Sequence, residues 1–252
     1  MAESSAKQNE ARDGVHRWQS GPRVVLYVKA LAAIEPEQLF DPDAWPHIER
    51  VGTGRGANWF IGNGQDECVL RHFQRGGALA RVLGDKYWFR GEQAVRSMAE
   101  FRLLRVIHEK GLPVPEPLAA GFHRHGRWYT AQLITRRIPD ARAWSELVTR
   151  ESGDATSDKR WAEIGATIAR LHGAGVDHVD LNAHNILVDA RDAVFIIDFD
   201  KCVERPPERD WQQANIARLK RSLLKILPDS KVLTRGWPHL LAAYERSLLG
   251  SR

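Results

Sequence analysis

The sequence predicts an α+β protein of two lobes, the first rich in strands with one helix and the second mainly helical with a small hairpin. Three observations support this. Strand patterns dominate from about residue 24 to 135, one apolar stripe at helical spacing interrupts them, and helical periodicity dominates afterwards. We therefore assign residues 21–135 to an N-terminal lobe and residues 136–252 to a C-terminal lobe. The polar residues 1–20 are predicted to be a disordered tail.

Composition narrows the classes of protein to consider. A chain of 252 residues with 43% hydrophobic residues is long enough for two packed lobes. The net charge of +5 favours a negatively charged partner: a phosphorylated metabolite, nucleic acid or an anionic membrane. The apolar tract Val24–Ile34 is far short of the roughly 20 residues that span a bilayer. Any membrane contact is therefore predicted to be peripheral, and the separated Cys68 and Cys202 indicate neither a disulfide framework nor a zinc site.

The N-terminal lobe contains a hairpin signal and one clear helix. Asn63-Gly64 suits the positive φ angles of a tight turn between strands at Trp59–Ile61 and Cys68–Leu70. An apolar stripe then predicts a helix that ends at Gly111, with Glu100 beside the stripe. The residues of the stripe are Val95, Met98, Phe101, Leu104 and Ile107.

A proline-rich segment, 112–117, leads from this helix into two further predicted strands, Leu118–Phe122 and Arg127–Thr135. The C-terminal lobe follows. Its first helix bears Trp161, Ile164, Ile168 and Leu171 on one face, with Ser157 predicted as the N-cap and Asp158 as a stabilising acid. Short strands at Ile186–Val188 and Val194–Ile197 then form a hairpin, and a final helix is predicted from about Glu208 to Leu227.

Chemistry is concentrated around that short hairpin. The pattern His178-x-Asp180-Leu181-x-x-x-Asn185, followed by Asp198-Phe199, matches the catalytic-loop and metal-binding motifs of protein-kinase-like phosphotransferases. Asp180 is the candidate catalytic residue that meets the attacking hydroxyl. Asn185 and Asp198 flank paired strands, so both reach one end of the hairpin, where hard oxygen ligands suit Mg²⁺. Single Asp and Asn residues are common in surface turns, but the complete spacing is not explained in that way.

Histidines also lie at the end of the predicted helix that contains Trp161 and in the loop before the short hairpin. His178 is predicted to support the backbone of the loop rather than to transfer protons, and His172 to pack or cap.

A phosphotransferase also needs groups that hold the phosphates of ATP. Gly52, Gly54 and Gly56 lie between candidate strands and are predicted to cover the phosphates, although such a glycine run is a weak signal alone. Arg71 stands in the third strand where protein kinases have lysine, and it still suits phosphate binding. Glu100 is its predicted ion-pair partner, and Glu92 is the weaker alternative.

A basic and aromatic segment, residues 71–90, looks inserted relative to a minimal kinase lobe. It is either a solvated loop or a site for a phosphorylated, lipid-linked substrate at a membrane surface. The candidate substrate or membrane residues are Arg75, Arg81, Lys86 and Arg90. On the final predicted helix, Arg218, Arg221 and Lys225 share a face that is typical of the outer side of a soluble helix.

From about Ile48 to Leu227 the chain resembles the lipopolysaccharide kinase (Kdo/WaaP) family, and within it the 3-deoxy-D-manno-octulosonic acid (Kdo) kinases. The resemblance covers both lobes. It rests on Gly54-Arg55-Gly56, Val69-Leu70-Arg71, Arg75-Gly76-Gly77, Glu100-Phe101-Arg102-Leu103, Leu112-Pro113-Val114-Pro115, Asp180-Leu181-Asn182-Ala183-His184-Asn185-Ile186-Leu187 and Ile197-Asp198-Phe199-Asp200.

This resemblance implies a protein-kinase-like fold and ATP-dependent phosphorylation, with Mg²⁺, of the 4-hydroxyl of Kdo on a Kdo-lipid A precursor (Kdo-lipid IVA). It implies a peripheral location at the cytoplasmic face of a Gram-negative inner membrane, with the glycolipid and the anionic membrane surface as partners and no known protein partner. Nucleic acid is not expected as a partner, because it would explain the basic charge but not the acidic cluster. Arg71 in the lysine position and Asp200 in the position of the DFG glycine agree with the family pattern. Asp200 is a further candidate metal ligand.

Two other hypotheses remain open at this point. An aminoglycoside or choline kinase-like phosphotransferase shares the same acidic motifs. A nucleotide-binding pseudokinase scaffold accounts for the irregular glycine loop and the missing lysine, but it leaves the retained Asp180, Asn185 and Asp198 unexplained.

Overall fold

The computed structural model describes seven stretches of the chain: 7–11, 14–51, 58–62, 67–74, 84–150, 157–227 and 231–250. The chain divides into two units, Met1–Arg105 with Glu116–Arg137, and Val106–Pro115 with Ile138–Arg252. Unlike the predicted lobes, the second unit includes the proline-rich segment. One contact of this segment within the second unit is a backbone hydrogen bond, in which the amide of Ile196 donates to the carbonyl of Pro113 at 3.0 Å.

An antiparallel sheet dominates the described part of the first unit. Its strands run in the order β1-β2-β3-β8-β9-β6-β5-β4, and the short β7 pairs with β9. One buried cluster on the sheet includes Trp18, Tyr27, Leu70 and Ile134. The strands are β1 Lys7–Ala11, β2 Val15–Ser20, β3 Arg23–Val28, β4 His47–Val51, β5 Asn58–Gly62, β6 Glu67–His72, β7 Tyr87–Trp88, β8 Pro117–His125 and β9 Trp128–Arg136.

Strands β1 and β2 correct the prediction of a disordered tail where residues 1–20 are described, over 7–11 and 14–20. β2 pairs along its whole length with β3, and its Val15 and Trp18 are buried. β1 pairs in turn with β2. Polar composition suggested a tail, but the sheet supplies backbone partners for a polar strand, and one buried tryptophan anchors it.

The predicted hairpin and helix of the first unit are present. β5 and β6 pair with Ile61 opposite Cys68, while Asn63-Gly64 lies outside the described residues. The helix, α1, spans Arg96–Glu109. Gly111, with φ of 71°, follows it and donates its amide to the carbonyl of His108. The five predicted stripe residues are each at most 1% exposed: Val95, Met98, Phe101, Leu104 and Ile107.

The second unit is mainly helical, with two small sheets. Ser157 caps one helix as predicted, because its hydroxyl accepts the amide of Arg160 at 3.3 Å. A three-stranded sheet has the order β10-β12-β13, and β11 pairs with β14. The elements are β10 Arg142–Ala143, α2 Trp144–Arg150, α3 Asp158–Gly173, β11 Val176–Asp177, β12 Ile186–Val188, β13 Val194–Ile196, β14 Val203–Glu204, α4 Arg209–Ile226 and α5 Lys231–Gly250.

Helix α5 corrects the prediction that the helix ending at Leu227 is the final one. Gly236 and Pro238 disfavour a helix by about 1 and 3 kcal/mol, so residue propensities do not predict α5. Tertiary packing overrides them. A Cβ on Gly236 would overlap the ring of Trp161, and a Cβ on Gly165 would overlap the carbonyl of Leu240, so α3 and α5 approach closely at these two glycines.

Candidate active site

His178 ties the loop Asp177–Asn185, called the HxD loop below, to the neighbouring hairpin. Its imidazole is fully buried, and Nε2 lies 3.0 Å from the carbonyl oxygen of Ile197. A carbonyl only accepts, so Nε2 carries the proton and donates it. The ring also meets Phe199 edge-on, with 4.9 Å between centroids. Burial lowers the pKa of His178, so the neutral side chain supports the backbone, in agreement with the sequence prediction.

Helix α4 fixes the same loop from another side. The Asp177 carboxylate is buried and accepts Nδ2 of Asn215 at 2.9 Å. Further along the helix, the hydroxyl of Ser222 accepts the backbone amide of Ala183 at 2.9 Å. These two bonds hold the loop near both of its ends.

Asn182 organises the middle of the HxD loop. Its Oδ1 accepts the backbone amides of His184 and Asn185, at 2.9 and 3.3 Å, and caps the single 3₁₀ turn Ala183–Asn185. Its Nδ2 and that of Asn185 both donate to the carbonyl of Asp180, at 2.9 and 3.1 Å. The backbone of Asp180 is therefore fixed, although its carboxylate is 60% exposed.

The hairpin brings Asn185 and Asp198 to one end, as predicted from their positions beside the strands. Ile186 of β12 pairs with Ile196 of β13, and the amide of Ile197 donates to the carbonyl of Asn185 at 3.0 Å. Asn185 thus precedes β12 at the same end of the hairpin where Asp198 follows β13. Two residues far apart in sequence become neighbours along the hairpin.

Asp198 has an unusual backbone conformation. Its φ of 64° lies in the left-handed region, which costs a non-glycine residue on the order of 1 kcal/mol. Phe199 is buried behind it, and the amide of Cys202 donates to the carbonyl of Phe199 at 3.0 Å, which closes a turn around the half-buried Asp200. Strain of this kind is concentrated at functional positions, where the direction of a side chain matters.

The first unit contains the predicted ion pair. Nη2 of Arg71 donates to Oε2 of Glu100, whose side chain is only 2% exposed, while Arg71 is 23% exposed. The Arg71 guanidinium also lies 4.6 Å from the ring centroid of Phe73. Glu92, the weaker candidate, pairs with Arg17 at 3.0 Å instead. Glu100 is therefore the acid that orients Arg71.

Several predicted residues lie outside the described part of the chain. They are the glycines of the proposed phosphate loop, Gly52, Gly54 and Gly56, together with Arg75 and Arg81. Lys86 and Arg90 are described, and both are exposed on either side of β7.

The comparison with models of known families matches residues 47–244 to the lipopolysaccharide kinase (Kdo/WaaP) family. The chain belongs to this family. Its curated relatives include proteins named 3-deoxy-D-manno-octulosonic acid kinase. One from Vibrio vulnificus strain YJ016 is 40% identical over 214 residues, covering 84% of this chain and 89% of the relative. One from Stenotrophomonas maltophilia strain K279a is 42% identical over 211 residues, covering 82% and 83%. One from Xanthomonas campestris pv. campestris strain B100 is 44% identical over 190 residues, covering 75% of each.

Membership of the Kdo/WaaP family confirms the predicted family, and the mixed sheet-and-helix architecture confirms the predicted kinase-like α+β class. The HxD loop, Asp198 and the Arg71–Glu100 pair all lie inside the matched region. Among the described helices of this Kdo/WaaP protein, none has the length and apolar character needed to cross a membrane.

The oxygen atoms at the hairpin end fit a magnesium ion. The amide nitrogen of Asn185 is used by the Asp180 carbonyl, so Oδ1 is the atom that this side chain offers to a cation. Across the described residues, no three His, Cys, Asp or Glu side chains gather at metal-binding spacing. Asn185 and Asp198 would offer an ion only one amide oxygen and one carboxylate, which are hard oxygen donors. Such a set suits Mg²⁺, which retains water molecules and phosphate oxygens as its other ligands.

The residues that hold the HxD loop were not predicted from the sequence. Asp177 and Asn182 lie within the motif, but their hydrogen bonds point to the backbone and to α4 rather than to a substrate. Asn215 and Ser222 lie 38 and 39 residues from their partners. The one sequence signal that could have identified Asn215 and Ser222 is that they are polar residues beside the apolar positions of α4.

Proposed function

We propose that this Kdo/WaaP protein is an ATP-dependent kinase that phosphorylates the 4-hydroxyl of Kdo on a Kdo-lipid A precursor, Kdo-lipid IVA. The observation that carries the proposal is the exposed Asp180 carboxylate on a loop whose backbone is fixed on both sides. The names of the relatives support Kdo as the acceptor sugar.

Asp180 is assigned the role of catalytic base. It accepts the proton of the sugar hydroxyl while that oxygen bonds to the γ-phosphorus of ATP. The bond from the γ-phosphorus to the bridging oxygen breaks, and ADP leaves. Stabilisation of the charge on the transferring phosphoryl group dominates such reactions, and the base contributes orientation and proton removal.

The remaining residues are assigned to the nucleotide. Asn185 and Asp198 would hold Mg²⁺, with Asp200 as a further candidate, and the ion would neutralise charge on the phosphate oxygens. Arg71, held by Glu100, binds phosphate through its planar guanidinium. The glycine loop with Gly52, Gly54 and Gly56 is proposed to cover the phosphates through its backbone amides.

A transfer assay tests this function. The purified chain is incubated with [γ-³²P]ATP and Mg²⁺ and offered Kdo-lipid IVA, aminoglycosides or choline in separate reactions, and the labelled position on the product is mapped. We expect label only on the 4-oxygen of Kdo. Preferential labelling of an aminoglycoside or choline would show that this compound, and not Kdo, is the acceptor. Nucleotide binding with no transfer to any of them would favour the scaffold hypothesis.

We further propose that the enzyme acts as a peripheral protein at the cytoplasmic face of the inner membrane. The proposed contact is the exposed end of the β8–β9 hairpin with β7, defined as Lys86–Arg90 and Arg124–Trp128. Trp88 is 47% exposed there and meets Trp128 edge-on at 5.2 Å. The Arg127 guanidinium lies 5.9 Å from the Trp88 ring centroid.

The charge of this surface complements an anionic bilayer. The two segments contain four Lys or Arg residues and no acid. Each such cation contributes about 1 kcal/mol near an anionic leaflet, and tryptophan rings favour the headgroup layer. Lys86 and Arg90 are the members that the sequence identified, whereas Arg75 and Arg81 lie outside the described residues.

Co-sedimentation with vesicles tests the membrane contact. Wild-type protein should bind vesicles of phosphatidylglycerol and phosphatidylethanolamine but not vesicles of phosphatidylcholine. The double variant Trp88→Ser, Arg127→Gln should lose most of this binding. Val203→Ser, which removes a side chain with 46% exposure elsewhere, is the matched control and should bind normally. Undiminished binding of the double variant would refute this choice of surface.

A further inference from the structure

Three residues of helix α4, in chain order, contact three residues of the HxD loop in the same order. Asn215 meets Asp177, Arg218 meets Asp180, and Ser222 meets Ala183. Residues 215, 218 and 222 follow the i, i+3, i+7 spacing of a single helix face. One face of α4 therefore runs along the loop and places Arg218 at the level of the proposed catalytic base.

The middle contact differs from the other two. The outer contacts are hydrogen bonds of 2.9 Å to buried or half-buried groups. Arg218 Nη1 is 3.9 Å from Asp180 Oδ1, and the two side chains are 48% and 60% exposed. An exposed pair at this distance contributes little to stability. The outer contacts hold the loop, so Arg218 is not needed for that purpose.

The segment of α4 that carries Arg218 is basic, which favours an anionic ligand beside the Asp180 carboxylate. From Ala217 to Ile226, α4 carries four Lys or Arg residues and no acid. A guanidinium has five N–H donors in a planar arrangement that matches a carboxylate. Arg218 makes one long contact to Asp180, which leaves most of these donors for a ligand.

We propose that Arg218 binds the carboxylate of the acceptor sugar acid and so orients the acceptor hydroxyl toward Asp180. This inference rests on the proposed function, in which the acceptor is Kdo. In this acid the carboxylate is C1 and the acceptor hydroxyl is on C4, so two carbons separate the groups that Arg218 and Asp180 bind. A neutral sugar lacks the anion, and Arg218 therefore contributes selectivity for acidic sugars.

The test compares two acceptors and three forms of the enzyme. Kdo-lipid IVA and its Kdo methyl ester are phosphorylated by wild type, Arg218→Gln and Arg209→Gln, and kcat/KM is measured for each combination. Arg209 is an exposed arginine at the start of the same helix, about 13 Å along its axis from Arg218, so it is a matched control.

We expect wild type and Arg209→Gln to prefer the carboxylate over the ester by roughly ten- to hundredfold, the range for one charge-assisted hydrogen-bonding partner. Arg218→Gln should use both acceptors at similar rates, close to the rate of wild type on the ester. Arg218→Lys keeps the charge without the fork and should retain part of the preference.

Three results would overturn the assignment. One is an unchanged carboxylate preference in Arg218→Gln. Another is an equal loss on both acceptors, which would make Arg218 a positioning residue for Asp180. The third is the absence of a preference in wild type itself, because the carboxylate is then not bound at all. Failure of the proposed function is distinguishable, because wild type would then phosphorylate neither Kdo acceptor.

Discussion

The two regions that carry the predicted chemistry are held in different ways. In the second unit, the HxD loop is fixed by several bonds, from His178, Asn182, Asn215 and Ser222, and Asp180 itself makes none of them through its carboxylate. In the first unit, Arg71 is oriented by the buried carboxylate of Glu100 and lies against the ring of Phe73. This difference predicts how substitutions at the two places act. A change at Asp180 should lower the rate without disturbing the fold, whereas a change at Glu100 should lower both the rate and the stability.

Asp180→Asn should give the largest change in rate and the smallest change in stability. Removing a positioned base lowers turnover by about a hundred- to ten-thousandfold. The exposed carboxylate contributes little to folding, so the free energy of unfolding should stay within about 0.5 kcal/mol of wild type. Phosphate transfer and urea unfolding measure the two quantities. Asp210→Asn, at the exposed start of α4, is the control and should transfer normally, and full activity of Asp180→Asn would contradict its assignment as the base.

Glu100→Gln should combine a moderate loss of rate with a clear loss of stability. The neutral amide leaves Arg71 without its charged partner, and because Arg71 retains some exposure the expected cost is about 1–3 kcal/mol. Weaker placement of Arg71 should reduce kcat/KM for ATP by about ten- to hundredfold.

Glu92→Gln is the matched control for Glu100→Gln. Its carboxylate is also paired with arginine, but it is 31% exposed, so the expected cost is under about 1 kcal/mol. Thermal melting and ATP titration of the two variants should therefore diverge. If both melt alike, the burial of Glu100 does not carry the stability assigned to it.

The same comparison shows which features follow from sequence. The Asn185–Asp198 end of the hairpin was predictable because strand pairing over a short turn is a local rule. The Arg71–Glu100 pair was predictable because both residues occupy known positions of a motif. The contacts of Asn215 and Ser222 were not, since they depend on how α4 docks against a loop almost 40 residues earlier. Strand β2 and helix α5 were missed for a related reason, because tertiary packing outweighs polar composition and helix-breaking residues.

Acidification should destabilise the second unit through its buried histidines. His172 is fully buried with Nδ1 2.8 Å from the hydroxyl of Tyr244, and burial lowers its pKa to about 3. The unfolded chain binds a proton near pH 6.5, while the folded protein does so only near pH 3, so stability falls with pH between these values. From pH 7.5 to 5.5, His172 alone accounts for about 1.4 kcal/mol. His178 acts in the same direction.

Urea unfolding at the two pH values measures this effect. His172→Phe should be less stable at pH 7.5, because the hydroxyl of Tyr244 loses its partner, but it should lose about 1.4 kcal/mol less than wild type on acidification. His184→Gln, at an exposed position of the HxD loop, should keep the full pH dependence. An unchanged pH dependence in His172→Phe would show that other groups are responsible.

Ser222→Ala should have the smallest effect on turnover of these site variants and tests the redundancy of the loop contacts directly. The buried amide of Ala183 loses its acceptor, which costs about 1 kcal/mol. Because His178, Asn182 and Asn215 still hold the loop, turnover should fall less than tenfold, unlike in Asp180→Asn. Ser20→Ala in β2 is the control and should change neither quantity. A large loss of turnover in Ser222→Ala would mean that the loop depends on this one bond, as Arg71 depends on Glu100, and the contrast between the two regions would disappear.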